Sequence, residues 1–128
     1  MTGLLLVAAG GAVGAAARFM LDGAVRTRSH GPFPWGTFTV NVLGSLAIGV
    51  VAGLVLFGGF EDGDVASWRL ALATGLCGGF TTFSTAMVET VRLARSNRVR
   101  VALISTVGTL AATVVAVAAG IAVVGLLT

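Results

Sequence analysis

The chain has 128 residues, of which 56% are hydrophobic and 10% are charged, and its formal net charge is +3. Soluble domains carry about 25% charged residues, so this composition excludes a soluble globular domain and indicates an integral membrane protein. All eight basic side chains are arginines, and the single cysteine, Cys77, excludes an intrachain disulfide bond. Because the arginines flank apolar stretches, they are expected to set membrane topology rather than to bind nucleic acid.

Four apolar stretches have the length of about 20 residues that a bilayer core requires. They are predicted to form one four-helix membrane domain covering residues 1–128, with spans at about 2–21, 36–57, 70–91 and 101–127. The segment 22–35 is polar, and its two prolines keep the chain out of a helix until Gly36. Residues 58–64 form a turn-rich acidic loop. The N-terminus lacks the basic region of a signal peptide, so we expect the first span to be retained.

Small residues recur at four-residue spacing along the first and second spans. Such spacing places them on one helical face, where it lets the backbones of neighbouring helices approach closely. The pairs are Gly10 and Gly14, Gly11 and Ala15, and Gly49 and Gly53.

The arginines are distributed very unevenly between the loops. The first and third loops, with their flanks, hold seven of them, whereas the second loop holds only Arg69. In a chain with four spans the first and third loops lie on the same side of the membrane. The positive-inside rule therefore predicts a single orientation with both termini outside the cytoplasm.

The third span contains a cluster of glycines and hydroxyls, residues 75–85, within its apolar run. Three glycines within five residues each cost about 1 kcal/mol of helix stability relative to alanine. Non-helical backbone at membrane depth is tolerated only where protein buries it or where it lines a wet cavity, and a broken spanning helix often marks an ion or substrate site. The alternative is a kinked, closely packed helix whose Ser and Thr side chains bond back to its own carbonyls.

The other polar residues of the spans are mostly neutral, and none of them forms an enzyme constellation or a metal-ligand cluster. Asn41 in the second span is either interhelical glue or an ion ligand. Ser105, Thr109 and Thr113 recur every four residues and share one face of the fourth span. The single histidine lies in a loop, and Glu89 is expected to pair with Arg92 at i+3.

These groups favour an anion over a cation. Hydroxyl and amide groups donate hydrogen bonds to anions, and the rings of Phe80 and Phe83 have positive edges, although rings among helices also serve as plain packing. Arg18, near the end of the first span, either draws anions into a vestibule or extends to the interface as a topology charge.

At these residues the sequence resembles the Fluc (CrcB) fluoride channels, over residues 10–18, 34–45 and 75–85. The resemblance implies passive, fluoride-selective export through two narrow pores of an antiparallel dimer. It also implies a structural Na⁺ at the dimer centre, held by backbone carbonyls of Gly78 and Thr81, with Arg18 as the vestibule arginine. The pore-lining residues that it implies are Asn41, Phe83, Ser84, Thr85, Ser105, Thr109 and Thr113.

The chain departs from the family pattern at Ala86, where a second pore phenylalanine is usual. A homodimer with antiparallel subunits also needs nearly balanced arginines, whereas this chain is biased seven to one. We hypothesise that it pairs with an oppositely oriented paralogue, and otherwise with itself.

Two other functions remain open. A small multidrug exporter needs a carboxylate within its first span, and residues 1–17 carry no charged side chain. A non-conducting partner subunit of a heterodimeric channel is supported by Ala86 but opposed by the intact Asn41, Phe83 and Ser84.

Overall fold

The computed structural model describes residues 2–58 and 67–128. These residues form α1 (Thr2–Arg28), α2 (Trp35–Phe57), a π-helix (Leu70–Cys77), the single turn α3 (Gly78–Phe80), α4 (Ser84–Arg95) and α5 (Val99–Leu127). Four helical segments are long and apolar enough to cross a membrane, and the third of them runs from Ser67 to Arg95 through the π-helix, α3 and α4. The prediction of an all-α protein with four spans is confirmed. Residues 59–64 of the expected acidic loop lie outside the described residues.

The helices extend beyond the predicted spans, most clearly at the end of α1. This helix continues to Arg28, so the prediction that residues 22–35 form a non-helical polar turn is wrong for the first half of that segment. Arg26 Nε donates to Asp22 Oδ1 at 2.8 Å, and such an i, i+4 ion pair stabilises the additional turns. Helix formation stops only before Pro32 and Pro34, and the connection to α2 is therefore short.

Glycines bring α1 into backbone contact with the π-helix and α3. A Cβ built at Gly10 would lie 2.5 Å from the carbonyl oxygen of Ala71, and one at Gly14 would overlap the carbonyl oxygen of Leu76. A Cβ at Gly79 would in turn overlap the carbonyl oxygen of Gly11. We call Gly10, Gly14, Gly75 and Gly79 the glycine seam. Because side chains are absent there, the two backbones pack directly against each other.

A second close contact joins α2 to α5. A Cβ at Gly120 would lie 2.6 Å from the carbonyl oxygen of Leu46, and one at Gly49 would overlap the carbonyl oxygen of Val117. At Gly53 a Cβ would lie 2.8 Å from the Cβ of Val124. The four-residue spacing of small residues thus marks real helix contacts on both α1 and α2.

The interior of the subunit is small, and most of its large apolar side chains point outward. Val40 is completely buried, whereas Phe19 is 82% exposed and Leu126 is 86% exposed. In water such a surface would be a liability, but in a bilayer the lipid tails solvate it. What remains inside is mainly small residues and the polar side chains of the candidate site.

Candidate functional site

The third span is broken just after its glycines rather than at them. α3 ends at Phe80, Thr81 adopts an extended conformation with φ −80° and ψ 159°, and α4 begins at Ser84. The N–H of Thr81 still donates to the carbonyl of Cys77 at 2.9 Å. The break that the glycine cluster predicted is therefore present, but Gly75 and Gly79 pack in the seam with α1, and the extended backbone lies at Thr81.

Asn41 of α2 replaces the helical hydrogen bonds that the break removes. Its Nδ2 donates to the carbonyl of Thr82 at 2.9 Å, and its Oδ1 accepts the N–H of Thr82 at 2.8 Å. Asn41 is only 9% exposed, so its amide satisfies two backbone groups at a depth where water is excluded. One Nδ2 hydrogen remains for a further acceptor, because a primary amide carries two donors.

The side chain of Thr82 starts the helix that follows. Its hydroxyl oxygen accepts the backbone N–H of Thr85 at 3.2 Å and lies 3.1 Å from the hydroxyl of Thr85. The N-terminus of α4 is therefore fixed beside the break, and its free N–H groups carry partial positive charge.

A cavity of about 390 Å³, which we call the polar groove, opens between α2, α4 and α5 at the break. Five of the seven predicted pore residues line it, namely Asn41, Phe83, Ser105, Thr109 and Thr113. Ala86, at the position of the absent ring, also lines it. Phe83 is 76% exposed, so the groove is open to one side of the subunit.

The two remaining predicted pore residues lie elsewhere. Thr85 lines a smaller cavity of about 220 Å³ together with Arg18 and Asp22, which we call the arginine cavity. Ser84 is exposed and lines neither cavity. The predicted set is thus divided between two neighbouring spaces.

Most hydroxyls of the groove bond back to their own helices. Ser105 Oγ donates to the Ala102 carbonyl at 3.3 Å, and Thr113 Oγ1 donates to the Leu110 carbonyl at 2.9 Å. Thr109 makes no side-chain hydrogen bond within the described part of the chain. A hydroxyl rotor can turn from a carbonyl toward a passing acceptor, so these groups remain potential donors.

Arg18 does not extend freely toward the interface. Its Nη1 donates to the carbonyl of Thr81 at 3.2 Å, which holds the guanidinium beside the break. The arginine cavity and the polar groove share Thr37 and Thr82 in their linings, so the two spaces adjoin. A fixed positive charge thus borders a chain of neutral donors.

Sequence reasoning missed four groove residues on α2, namely Thr37, Phe38, Ser45 and Ile48. Thr37 is 3% exposed, and its hydroxyl is buried without a hydrogen-bond partner among the described residues. Phe38 and Ser45 also line the groove. Thr37, Asn41 and Ser45 repeat every four residues, the same signal that identified the stripe on the fourth span, so the pattern was available in the sequence.

The residues expected to hold sodium offer backbone oxygens rather than a ligand cluster. No group of three or more His, Cys, Asp or Glu side chains able to hold a metal occurs within residues 2–58 and 67–128. The carbonyl of Gly78 has lost its helical donor, because the N–H of Thr82 donates to Asn41 instead. A Cβ built at Gly78 would meet nothing within 4 Å, so this position faces open space. Both features fit an oxygen ligand for a hard cation, although the Thr81 carbonyl already accepts from Arg18.

The expected pairing of Glu89 with Arg92 is wrong. Glu89 Oε1 instead accepts a hydrogen bond from Nη2 of Arg26, which links α4 to α1 through side chains. The extension of α1 to Arg28 is what brings Arg26 level with Glu89. The other carboxylate oxygen, Oε2, is buried without a hydrogen-bond partner among the described residues.

Comparison with known proteins places this arrangement in a family. The model of the CrcB-like protein, Camphor Resistance (CrcB) family matches residues 5–121. The chain belongs to the CrcB family. It is therefore a multi-pass membrane protein of a channel family rather than an enzyme.

Several CrcB relatives resemble the chain over most of its length. It is 47% identical over 105 residues to the fluoride-specific ion channel FluC 1 of Leifsonia xyli, covering 82% of this chain and 74% of that protein. It is 43% identical over 116 residues to FluC 3 of Bifidobacterium longum, covering 91% and 93% of the two chains. With FluC of Novosphingobium aromaticivorans the identity is 41% over 126 residues and 96% of both chains.

Proposed function

We propose that this chain is a subunit of a fluoride-selective channel that lets fluoride leave the cytoplasm passively, down its gradient. The observation that carries the proposal is the break held by Asn41, which opens onto a groove lined by neutral donors from three helices. The names of the relatives support fluoride as the transported ion.

The ion is expected to enter through the arginine cavity. The Asp22 carboxylate of this cavity is paired with Arg26. The Arg18 guanidinium can therefore raise the local concentration of anions there, and the Thr81 carbonyl keeps that charge in place. Thr37 and Thr82 then connect this cavity to the polar groove. Their hydroxyls replace water molecules of the hydration shell one after another, which makes dehydration of the anion gradual.

Within the groove the anion meets donors and ring edges but no carboxylate. The second Nδ2 hydrogen of Asn41, the free hydroxyl of Thr109 and the N-terminus of α4 each provide partial positive charge. Phe83 and Phe38 add ring edges, and Phe38 supplies a second ring in a groove where Ala86 has none. Among the described groove residues none is acidic, which opposes a proton-coupled exporter.

A second subunit is expected to close the groove. Phe83 is largely exposed and Gly78 faces open space, so both are available to a partner across the break. An antiparallel partner with a similar surface would bring four carbonyls together, from Gly78 and Thr81 of this chain and from the corresponding residues of the partner. Bound Na⁺ would supply a central positive charge that neutralises these oxygens and joins the subunits.

The partner is proposed to be an oppositely oriented paralogue rather than a second copy. Seven of the eight arginines lie on the side of the first and third loops, which fixes one orientation for this chain. A subunit with the opposite bias would supply the antiparallel half. Ala86 fits such a pair if one of the two pores tolerates a missing ring.

Fluoride efflux from liposomes that contain this purified chain tests conduction directly. Rapid efflux of fluoride with chloride retained would establish a working homodimer and refute the need for a paralogue. Efflux only after addition of the oppositely oriented partner would support the heterodimer. No selective efflux in either condition, from folded protein, would overturn the proposed function in favour of a non-conducting subunit.

Orientation is tested by labelling single cysteines in cells. Ser96→Cys lies in the arginine-rich third loop, and Thr128→Cys lies at the opposite end of α5. Cys77 is 4% exposed and provides an internal control that should not react. We expect an impermeant reagent added outside to label position 128 and not position 96. Equal labelling of both would show dual insertion and remove the argument for a paralogue.

A further inference from the structure

A third cavity, of about 580 Å³, lies at the end of the subunit where the arginine-rich loops meet. It is separate from the ion pathway except at Pro34, which borders both spaces. We call it the headgroup pocket and define it by its charged residues and two aromatic residues: Arg26, Glu89, Arg92, Arg98, Phe33 and Trp35.

The charges of the pocket do not cancel. Three guanidinium groups face one carboxylate, and that carboxylate is paired with Arg26. Arg92 and Arg98 are exposed and have no carboxylate within 4.0 Å among the residues described. Two unpaired guanidinium groups at the same cavity match a phosphate, whose oxygens accept from such donors in pairs.

Glu89 requires a hydrogen-bond donor from the ligand, whereas the arginines require an acceptor. It is 8% exposed, and its Oε2 lacks a hydrogen-bond partner within the described residues. A buried carboxylate oxygen without a donor is costly, so a ligand that brings an N–H or O–H to this point would stabilise the pocket. Inorganic phosphate could bring an O–H of its own, but its dianion would be repelled by the carboxylate.

The aromatic wall indicates how deep the pocket lies. Phe33 and Trp35 are in contact, with ring centroids 4.4 Å apart, and Trp35 stands at the first residue of the spanning helix α2. Indole rings at the ends of membrane spans lie at the level of the lipid headgroups. A basic pocket at this depth between spanning helices is a favourable place for a lipid phosphate.

From these observations we infer that the headgroup pocket binds a phospholipid headgroup that carries a phosphate beside a hydrogen-bond donor, as in phosphatidylglycerol or phosphatidylethanolamine. Arg92 and Arg98 bind the phosphate, Glu89 Oε2 accepts the donor, and Trp35 contacts the glycerol region. This inference does not depend on conduction, because its test measures lipid binding and not ion flux.

Native mass spectrometry of the purified protein, titrated with phosphatidylglycerol, tests the phosphate contact. We expect the double variant Arg92→Gln/Arg98→Gln to retain this lipid about 100-fold less well, because each lost hydrogen bond between charged groups costs roughly a factor of ten. The matched control is Arg95→Gln/Arg100→Gln, which removes the same charge from neighbouring residues outside the pocket. Equal loss in both double variants would overturn a specific site.

The donor requirement is tested with phosphatidylethanolamine and phosphatidylcholine, which have the same net charge but differ in N–H donors. The wild-type protein should prefer the former about tenfold, the effect of one hydrogen bond to a charged group. Glu89→Gln should lose this preference, because a neutral amide no longer pairs with the ammonium group, whereas Arg92 and Arg98 still bind the phosphate of phosphatidylglycerol. No preference in the wild type would refute the role of Glu89 without need of any variant. Displacement of phosphatidylglycerol by millimolar inorganic phosphate would overturn the lipid in favour of a soluble anion.

Discussion

The glycine seam and the polar groove are built on the same broken span, yet they are opposite kinds of contact. At the seam, α1 touches the π-helix backbone to backbone, and a Cβ at Gly10 would lie 2.5 Å from a carbonyl oxygen. At the groove, α2, α4 and α5 leave about 390 Å³ between side chains that are mostly hydroxyls. On the α1 face the lack of side chains lets the two backbones touch. On the groove face short polar side chains leave space between the helices.

The difference shows how a membrane subunit separates stability from conduction. Without a hydrophobic driving force between helices, close van der Waals packing stabilises the fold, and the seam provides it. The groove tolerates space because Asn41 bonds both the N–H and the carbonyl of Thr82, two backbone groups that the break frees. The break is therefore stable only because an adjacent helix supplies both a donor and an acceptor.

The largest effect is expected where the seam is filled. Gly14→Ala should destabilise the subunit by about 3 kcal/mol, because the new methyl overlaps a backbone carbonyl that cannot move aside. The free energy of unfolding in mixed detergent micelles measures the change. Gly108→Ala is the matched control, since a Cβ there meets nothing within 4 Å. Equal stability of the two variants would contradict the close contact.

Next in size is the loss of the amide that holds the break. Asn41→Ala leaves the N–H and carbonyl of Thr82 without partners, at a cost of about 2 kcal/mol in stability, and should also abolish fluoride efflux. Ser45→Ala, one turn along the same groove face, should change stability by less than about 0.5 kcal/mol. If both substitutions act alike, Asn41 is merely one polar lining residue and does not support the break.

A smaller effect is expected at the ion pair between Arg26 of α1 and Glu89 of α4. A double-mutant cycle of Arg26→Gln with Glu89→Gln should give a coupling energy of about 1 kcal/mol, modest because the arginine side chain is 48% exposed. The same cycle with Arg92→Gln in place of Arg26→Gln should give a coupling near zero. Coupling to Arg92 alone would restore the pairing that sequence spacing suggested.

The smallest change should come from the ring edges of the groove. Phe38→Leu is expected to lower fluoride efflux about fivefold, because a ring edge contributes about 1 kcal/mol to an anion passing it. Phe33→Leu is a suitable control, since that ring contacts Phe38 but lies outside the groove. Ala86→Phe tests the converse and should raise efflux if the absent ring limits conduction. Unchanged fluoride efflux in Phe38→Leu would show that this ring edge does not stabilise the anion, and that the hydroxyls and Asn41 do so without it.

Much of the architecture follows from local sequence. Composition and four-residue spacing predict the four spans, the close approach at Gly10 and Gly14, and the presence of a break in the third span. They can do so because bilayer thickness fixes the length of a span and helix geometry fixes the four-residue spacing. The polar stripe of Ser105, Thr109 and Thr113 was visible for the same reason. Thr37 and Ser45 share the four-residue period of Asn41 on α2 and carry an equal signal.

Tertiary structure decided what spacing along one helix cannot encode. Gly75 and Gly79 of the third span pack against α1, and the interruption follows them at Thr81 and Thr82, where Asn41 bonds the backbone of Thr82. Glu89 pairs with Arg26 of α1 and not with Arg92 of its own helix, because α1 places a guanidinium closer to the carboxylate. Ser84 and Thr85 lie outside the groove for the same reason. The sequence period shows which residues share one face of a helix, but the neighbouring helices decide which face lines a cavity.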